Sequence, residues 1–280
     1  MTGGGLGLVV DRLACPICRC ALTMSQSALI CTAGHSFDIA RQGYVSLFDG
    51  GPRANTGDGA AMVAARARFL GVGHYLPIAD AITDATAADA VGLCLDLAGG
   101  TGYYLAHLLD HRPGLVGLTV DLSAPASRRA SRAHDRLAAV AADAWQQLPV
   151  RDGAATSVLS VFGPRNPTEI RRVLAPTGRL ILVTPTGRHL AEPVQRLDLL
   201  TVDPRKRDRI AVQFAQWPTA SERAVEWVVE LDRAALLDAV LMGPNAHHVD
   251  RAVLTARVDA LPEPFRVTVS VVVSELRPPR

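Results

Sequence analysis

Four of the chain's five cysteines fall within seventeen residues, Cys15 to Cys31, and a histidine follows four positions later. Cys15 and Cys18 form a C-x-x-C knuckle, and Cys31 and His35 form C-x-x-x-H after a loop of twelve residues. Two short-spaced donor pairs joined by a hairpin-length loop are what a closed tetrahedral site requires. Thiolate and imidazole suit Zn²⁺, and four protein ligands leave no open position for catalysis, so the metal is expected to be structural, one per chain. Cys20 lies two residues past Cys18, breaks the knuckle spacing and is expected to stand aside. The alternative is a redox C-x-x-C of thioredoxin type. That motif opens a helix after a strand, whereas here Pro16 and a polar loop accompany the pair. A segment this short buries too little apolar surface to fold unaided, so the metal staples it.

The chain beyond His35 decides what the staple serves. "GHSFDIARQGYVSLF" continues from the last ligand with alternating apolar residues, as short strands do, and "DGGPRANTGDG" (49–59) is rich in turn formers. The expected organisation is a β-rich zinc module over 1–48, a linker over 49–59 and a larger domain over 60–280. The 280 residues are 49% hydrophobic, ample for that domain's core. A net charge of +2 neither demands nor excludes nucleic acid. No apolar run approaches bilayer-spanning length, and the start "MTGGGLGLVVDRL" has no cationic region. A cytoplasmic protein without a membrane partner is expected.

From Ala60 the pattern is helical, with Gly71 and Gly73 as a break. Val91–Leu97 then reads as a buried parallel strand, the glycines after it as a tight turn, and Tyr103–Leu109 as a helix start. "GLVGLTVDLS", "RLAAVAADAWQQLP", "AATSVLSVFGP" and "GRLILVTPTG" supply further strands at α/β intervals, and the tail "PFRVTVSVVVSELRPPR" reads as a closing antiparallel strand. The fold class is therefore α/β, Rossmann-like. In such sheets a ligand sits beyond the carboxyl ends of the strands, where strand order reverses.

The turn itself reads Asp96-Leu-Ala-Gly-Gly100-Thr-Gly102, which departs from G-x-G-x-x-G and resembles motif I of class I S-adenosylmethionine methyltransferases, with Ala98 in place of the first glycine. An acid ending the second strand can accept from ribose hydroxyls and one after the third can meet an adenine amine. Asp121 and Asp143 stand at those places, although either alone is also a common helix N-cap.

The order of the zinc knuckle, "DGA-AMVAARARFLGVGHY", "LDLAGGTGYY" and "TPTGRHL" resembles the RlmA-type 23S rRNA guanine-N1-methyltransferases over essentially the whole chain. The resemblance implies that Tyr75, Gly100, Thr101 and His189 contact S-adenosylmethionine, with Asp96, Gly102, Asp121 and Asp143 carried by the general fold. It also implies an RNA partner, the helix 35 hairpin of 23S rRNA, with a target guanine at nucleotide 745 or 748, and it leaves room for a homodimer. The arginine-rich usage, with Lys206 the sole lysine, fits a GC-rich genome and favours the second group, at 748, with its tie to macrolide (tylosin-type) resistance.

Methylation of guanine N1 needs help with the N1 proton, and no catalytic residue is assigned to it. In the loop "VFGPRNP" (161–167), Arg165 is read as stabilising charge on O6 or touching phosphate. For the RNA, Arg19 and Arg41 of the module, Arg53 of the linker and the run "DPRKRDR" (203–209, read as a loop) are candidate contacts. Arg128, Arg132 and Arg136 are read as one helical stripe on a solvated face. Two rival classes stay open: a small-molecule methyltransferase, and a non-catalytic zinc-ribbon RNA-binding protein with a degenerate Rossmann half, for which Ala98 is the best support.

Overall fold

The computed structural model describes residues 4–50, 57–199 and 206–279. In chain order the elements are α1 (Gly4–Gly7), β1 (Leu22–Ser25), β2 (Ala28–Cys31), β3 (Ser36–Asp38), β4 (Val45–Ser46), α2 (Ala60–Gly71), α3 (Leu76–Asp84), β5 (Gly92–Leu97), α4 (Tyr103–His111), β6 (Leu115–Asp121), α5 (Ala124–Ala130), β7 (Leu137–Ala141), β8 (Ala155–Val161), α6 (Pro167–Val173) and β9 (Leu174–Pro185). They continue with α7 (Ala191–Leu197), α8 (Lys206–Gln213), β10 (Thr219–Leu231), α9 (Arg233–Leu241), α10 (Arg251–Asp259) and β11 (Phe265–Leu276).

Eight strands form one sheet in the order β10-β11-β9-β8-β5-β6-β7-β4. From β4 to β9 all pairings are parallel, and β11 runs antiparallel between β9 and β10. The closing strand expected at the tail is thus interior, and the edge belongs to β10. Strand order reverses between β5 and β8: the chain builds outward through β6 and β7, then returns to the other side of β5. That reversal is where a ligand crevice opens.

The parallel strands are buried on both faces, as crossover packing demands. Leu93, Leu95 and Leu97 of β5 face one core with Val140 and Val158, while Cys94 faces the other with Leu105 and Ile181. The second core is covered by the surrounding helices. The first is covered in part by the N-terminal segment, since Leu6, Val9, Leu13, Leu22 and Leu29 pack into it. The physical reason lies in the connection from β7 to β8, which carries no helix. The zinc-ligand segment fills the place a crossover helix leaves bare. Accordingly, β1, β2 and β3 form their own small sheet, but β4 crosses into the large sheet, pairing Val45 with Val140 and Ser46 with Ala141.

Three arginine expectations are corrected. Arg19 is turned inward: its Nη1 and Nη2 donate to the Leu148 and Val150 carbonyls, each at 2.9 Å, and fasten the module to the β7–β8 connection. The stripe Arg128–Arg132–Arg136 does not form, because α5 ends at Ala130 and Arg136 turns inward to the Arg112, Pro113, Leu115 and Leu109 carbonyls. The basic run 203–209 is no simple loop, since α8 begins at Lys206, while Asp203, Pro204, Arg205 and the linker's Arg53 lie outside the described residues.

Candidate cofactor crevice and metal centre

At the carboxyl end of β5 the chain turns through Ala98-Gly99-Gly100-Thr101-Gly102 into α4. Three of these residues have left-handed backbones, Ala98 at φ 53°, Gly100 at 58° and Gly102 at 76°. A Cβ on Gly99 would lie 2.2 Å from Thr119 Oγ1 and 2.5 Å from Asp96 Oδ2. No side chain fits there, so the glycine is dictated by a close approach. Ala98 takes a left-handed backbone where the motif has its first glycine, and Gly163 packs directly against it, since a Cβ there would lie 3.3 Å from the Ala98 Cβ.

Asp96 is buried, with neither carboxylate oxygen hydrogen-bonded, and Thr119 Oγ1 beside it is likewise unpartnered. Burial pushes the Asp96 carboxyl up to about 8, and the charge of Asp121 adds to the shift. Asp121, at the end of β6, accepts from the Gly100 N–H at 2.9 Å and the Ser123 N–H at 2.8 Å. Burial raises its pKa and those two N–H groups oppose the rise. It therefore holds the glycine turn shut while keeping lone pairs for a ligand. Thr101 of the turn is also buried. Asp143, beyond β7, accepts from the Trp145 N–H at 2.8 Å, and the Trp145 side chain is exposed.

Tyr75 and His189 are 114 residues apart and meet across the crevice, with the phenol oxygen 3.2 Å from Nε2. The Ser270 N–H donates to Nδ1 at 3.3 Å, so the imidazole proton sits on Nε2 and points at the phenol oxygen. Full burial raises the Tyr75 pKa, which keeps its O–H as a donor. Phe69, Phe162 and Trp227 pack around the pair.

Two crevice residues escaped the sequence reading. Arg66 of α2 pairs with Asp58 at 2.6 Å and donates to the Met242 carbonyl at 2.6 Å. Its Nη1 lies 3.2 Å from where a Cβ on Gly100 would sit, so this cation covers the turn. Asp58 is tied in turn to Ser123, whose hydroxyl donates to the Asp58 carbonyl at 2.6 Å. The available signal was the Arg66–Arg68 doublet. Residues two apart on a helix face different sides, and Arg68 goes to Asp238 at 2.6 and 2.8 Å instead.

In the N-terminal module the ligand atoms of Cys15, Cys18, Cys31 and His35 all lie within 4.8 Å of one another. Cys15 Sγ is 3.6 Å from His35 Nδ1, Cys31 Sγ is 3.4 Å from the same nitrogen, and Cys18 Sγ is 3.6 Å from Cys31 Sγ. Zinc–sulfur and zinc–nitrogen bonds of about 2.3 and 2.0 Å give tetrahedral edges of roughly 3.5–3.8 Å, so the four donors fit this ion. The His35 backbone N–H donates to Cys31 Sγ at 3.3 Å and supports the thiolate. Cys20 is not in the cluster; it contributes its carbonyl to the Cys15 N–H at 2.9 Å.

Fold and site together define a zinc-ribbon protein with a Rossmann-like methyltransferase domain. The fold is shared with the YcgJ protein of Bacillus subtilis (TM-score 0.53, 12% identity, 74% of this chain and 100% of that one). It is shared also with a chain solved in complex with the Trm112 methyltransferase activator of Haloferax volcanii (TM-score 0.52, 17% identity, 80% and 99%). Residues 13–49 match the family model of the RlmA N-terminal zinc ribbon. A 23S rRNA (guanine(748)-N(1))-methyltransferase of Streptomyces fradiae is 44% identical over 96% of this chain and 98% of its own. A relative from Micromonospora griseorubida, named for 23S rRNA guanine-N1 methylation, is 45% identical over the same shares. The chain belongs to the 23S rRNA (guanine-N1)-methyltransferase family.

Proposed function

We propose that the protein methylates N1 of one guanine in the helix 35 hairpin loop of 23S rRNA, at nucleotide 748, using S-adenosylmethionine. One observation carries the reading: Asp96, the glycine turn, Asp121 and the Tyr75–His189 pair converge at the switch point of the sheet. The S. fradiae relative's name supports the position. Asp121 takes the ribose hydroxyls on its remaining lone pairs, Asp143 the adenine amine, and the Gly100–Gly102 backbone the close approach of the ligand. Arg66, with Tyr75 as hydrogen-bond donor, takes the ligand's carboxylate. S-adenosylmethionine supplies a methyl group already activated by positive sulfur, so the protein's task is alignment.

A base edge is reached only when the nucleotide is unpaired or extruded, which fits a loop target in cytoplasmic ribosomal RNA. Exposed Arg41 and Arg132 flank one cleft between the zinc module and the large domain, suited to a hairpin backbone. A role in tylosin-type macrolide resistance is the physiological extension of this target.

Calorimetric titration with S-adenosylmethionine tests the crevice. Binding is expected, and Asp121→Ala should weaken it by about tenfold to a hundredfold, as losing a buried, charge-assisted hydrogen-bond partner costs roughly 1–3 kcal/mol. An unchanged dissociation constant would reduce Asp121 to a clasp on the turn. No binding at all would favour the non-catalytic RNA-binding reading.

A further inference from the structure

Arg165 is 7% exposed, and its Nε and Nη2 are buried without a hydrogen-bond partner. Other inward-turned arginines contrast with it: Arg172 pairs with Glu169 and Asp152, while Arg19 and Arg136 are held by carbonyls. An uncompensated buried ion is expensive, and burial pushes this guanidinium's pKa down. The loop that carries it is nevertheless well fixed. The Phe162 N–H donates to the Val183 carbonyl at 3.1 Å and Ser160 Oγ to the Pro164 carbonyl at 3.3 Å. Asn166 caps α6 and donates to the Trp145 carbonyl at 3.0 Å. The loop abuts the crevice, since a Cβ on Gly163 would lie 2.8 Å from the Leu97 carbonyl oxygen.

Nε and Nη2 form the side-on fork of a guanidinium, two parallel donors that match a pair of acceptors. A phosphate, a carboxylate and the O6/N7 edge of guanine each offer such a pair. A hairpin phosphate is met at the protein surface, and this fork lies beneath it. In the reading above the ligand's carboxylate goes to Arg66, which lies over the glycine turn. An extruded planar base is the acceptor that enters the protein. The geometry points to Arg165 as a specificity-determining residue that receives O6 and N7 of the target guanine on its Nε/Nη2 fork. This contact rests on the guanine-N1 reading above. It leaves the N1 edge uncovered, opposes adenine, whose amine would face a donor, and sets a cation beside the oxygen that shares the charge when N1 gives its proton to water.

The test pairs the atom with the residue. Helix 35 hairpins carrying guanine or 7-deazaguanine at the target are assayed for methyl transfer with the wild type, Arg165→Lys and Arg165→Gln, and each protein's affinity for S-adenosylmethionine is measured. Removing N7 should lower wild-type kcat/KM about tenfold, and Arg165→Gln should lower it about tenfold to a hundredfold on guanine. The Gln variant should no longer distinguish the two hairpins, the Lys variant should do so weakly, and donor affinity should stay unchanged. Arg165→Met, free of the buried charge, should unfold at a midpoint about 2–4 °C higher in the absence of ligand; a lower midpoint in all three variants would mean a merely structural arginine. Full retention of the guanine preference in Arg165→Gln overturns the contact, as does a parallel loss of donor affinity or an effect confined to the salt slope. A wild type that methylates neither hairpin overturns the guanine-N1 reading and this contact with it.

Discussion

Asp96 carries the sharpest electrostatic signature of the crevice. With its carboxyl pushed up to about 8 in the folded chain, against an unfolded value near 3.9, the folded state binds the proton more tightly. Its contribution to stability is therefore full below about pH 4 and is lost as pH rises through 8. In ligand-free protein the thermal midpoint of the wild type should fall relative to that of Asp96→Asn between pH 5 and pH 8. Parallel curves for the two proteins would mean that the carboxyl titrates normally. The residue scale is also where sequence and structure part most instructively. Asp96 and the glycines were legible because their motif is contiguous and each glycine answers to a backbone need, and Asp121 because it ends the next strand. Tyr75 and His189 were legible only through a family pattern, as nothing in either segment says that they meet. Arg165 stands in a loop the sequence marks, but its burial and lack of a partner are properties of three-dimensional packing.

Among the elements, the zinc ribbon matters most. Its ligand spacing was readable, and so were β5, α4 and the parallel strands, whose apolar runs leave little choice of partner. The edge strand β10 was not. "TASERAVEWVVEL" is largely exposed, so its pattern is that of a one-faced ribbon and carries no sign of the sheet it joins. Nor did the sequence announce that β4 joins the large sheet or that Arg19 clasps the Leu148 and Val150 carbonyls. Both result from the missing helix between β7 and β8. One zinc per chain should accompany the purified protein, surviving Cys20→Ser but not Cys31→Ser, as elemental analysis will read. Because Cys15, Cys31 and Leu29 share a core with Leu93, Leu95 and Val140, the Cys31→Ser chain should unfold in one transition at a lower temperature. Two well-separated transitions, or zinc retained by Cys31→Ser, would refute this picture of a shared core and ligand set.

At the scale of the whole molecule, a zinc ribbon and a cofactor crevice are locked onto one sheet. Ala98, the residue that best supported a degenerate domain, adopts the left-handed backbone at its place in the turn, with Gly163 packed against it. A macromolecular substrate explains why the ribbon is there, and phosphate contacts should make activity fall steeply with salt. Methylation at N1 blocks the Watson–Crick edge, so reverse transcription halts one nucleotide before the modified guanine. Primer extension on 23S rRNA treated with the protein and S-adenosylmethionine should show one new stop at nucleotide 749, immediately 3′ of guanine 748. A stop that reports guanine 745 would move the specificity to the neighbouring position. No stop anywhere in 23S rRNA, with S-adenosylmethionine binding established, would contradict the account and leave a small-molecule substrate in its place.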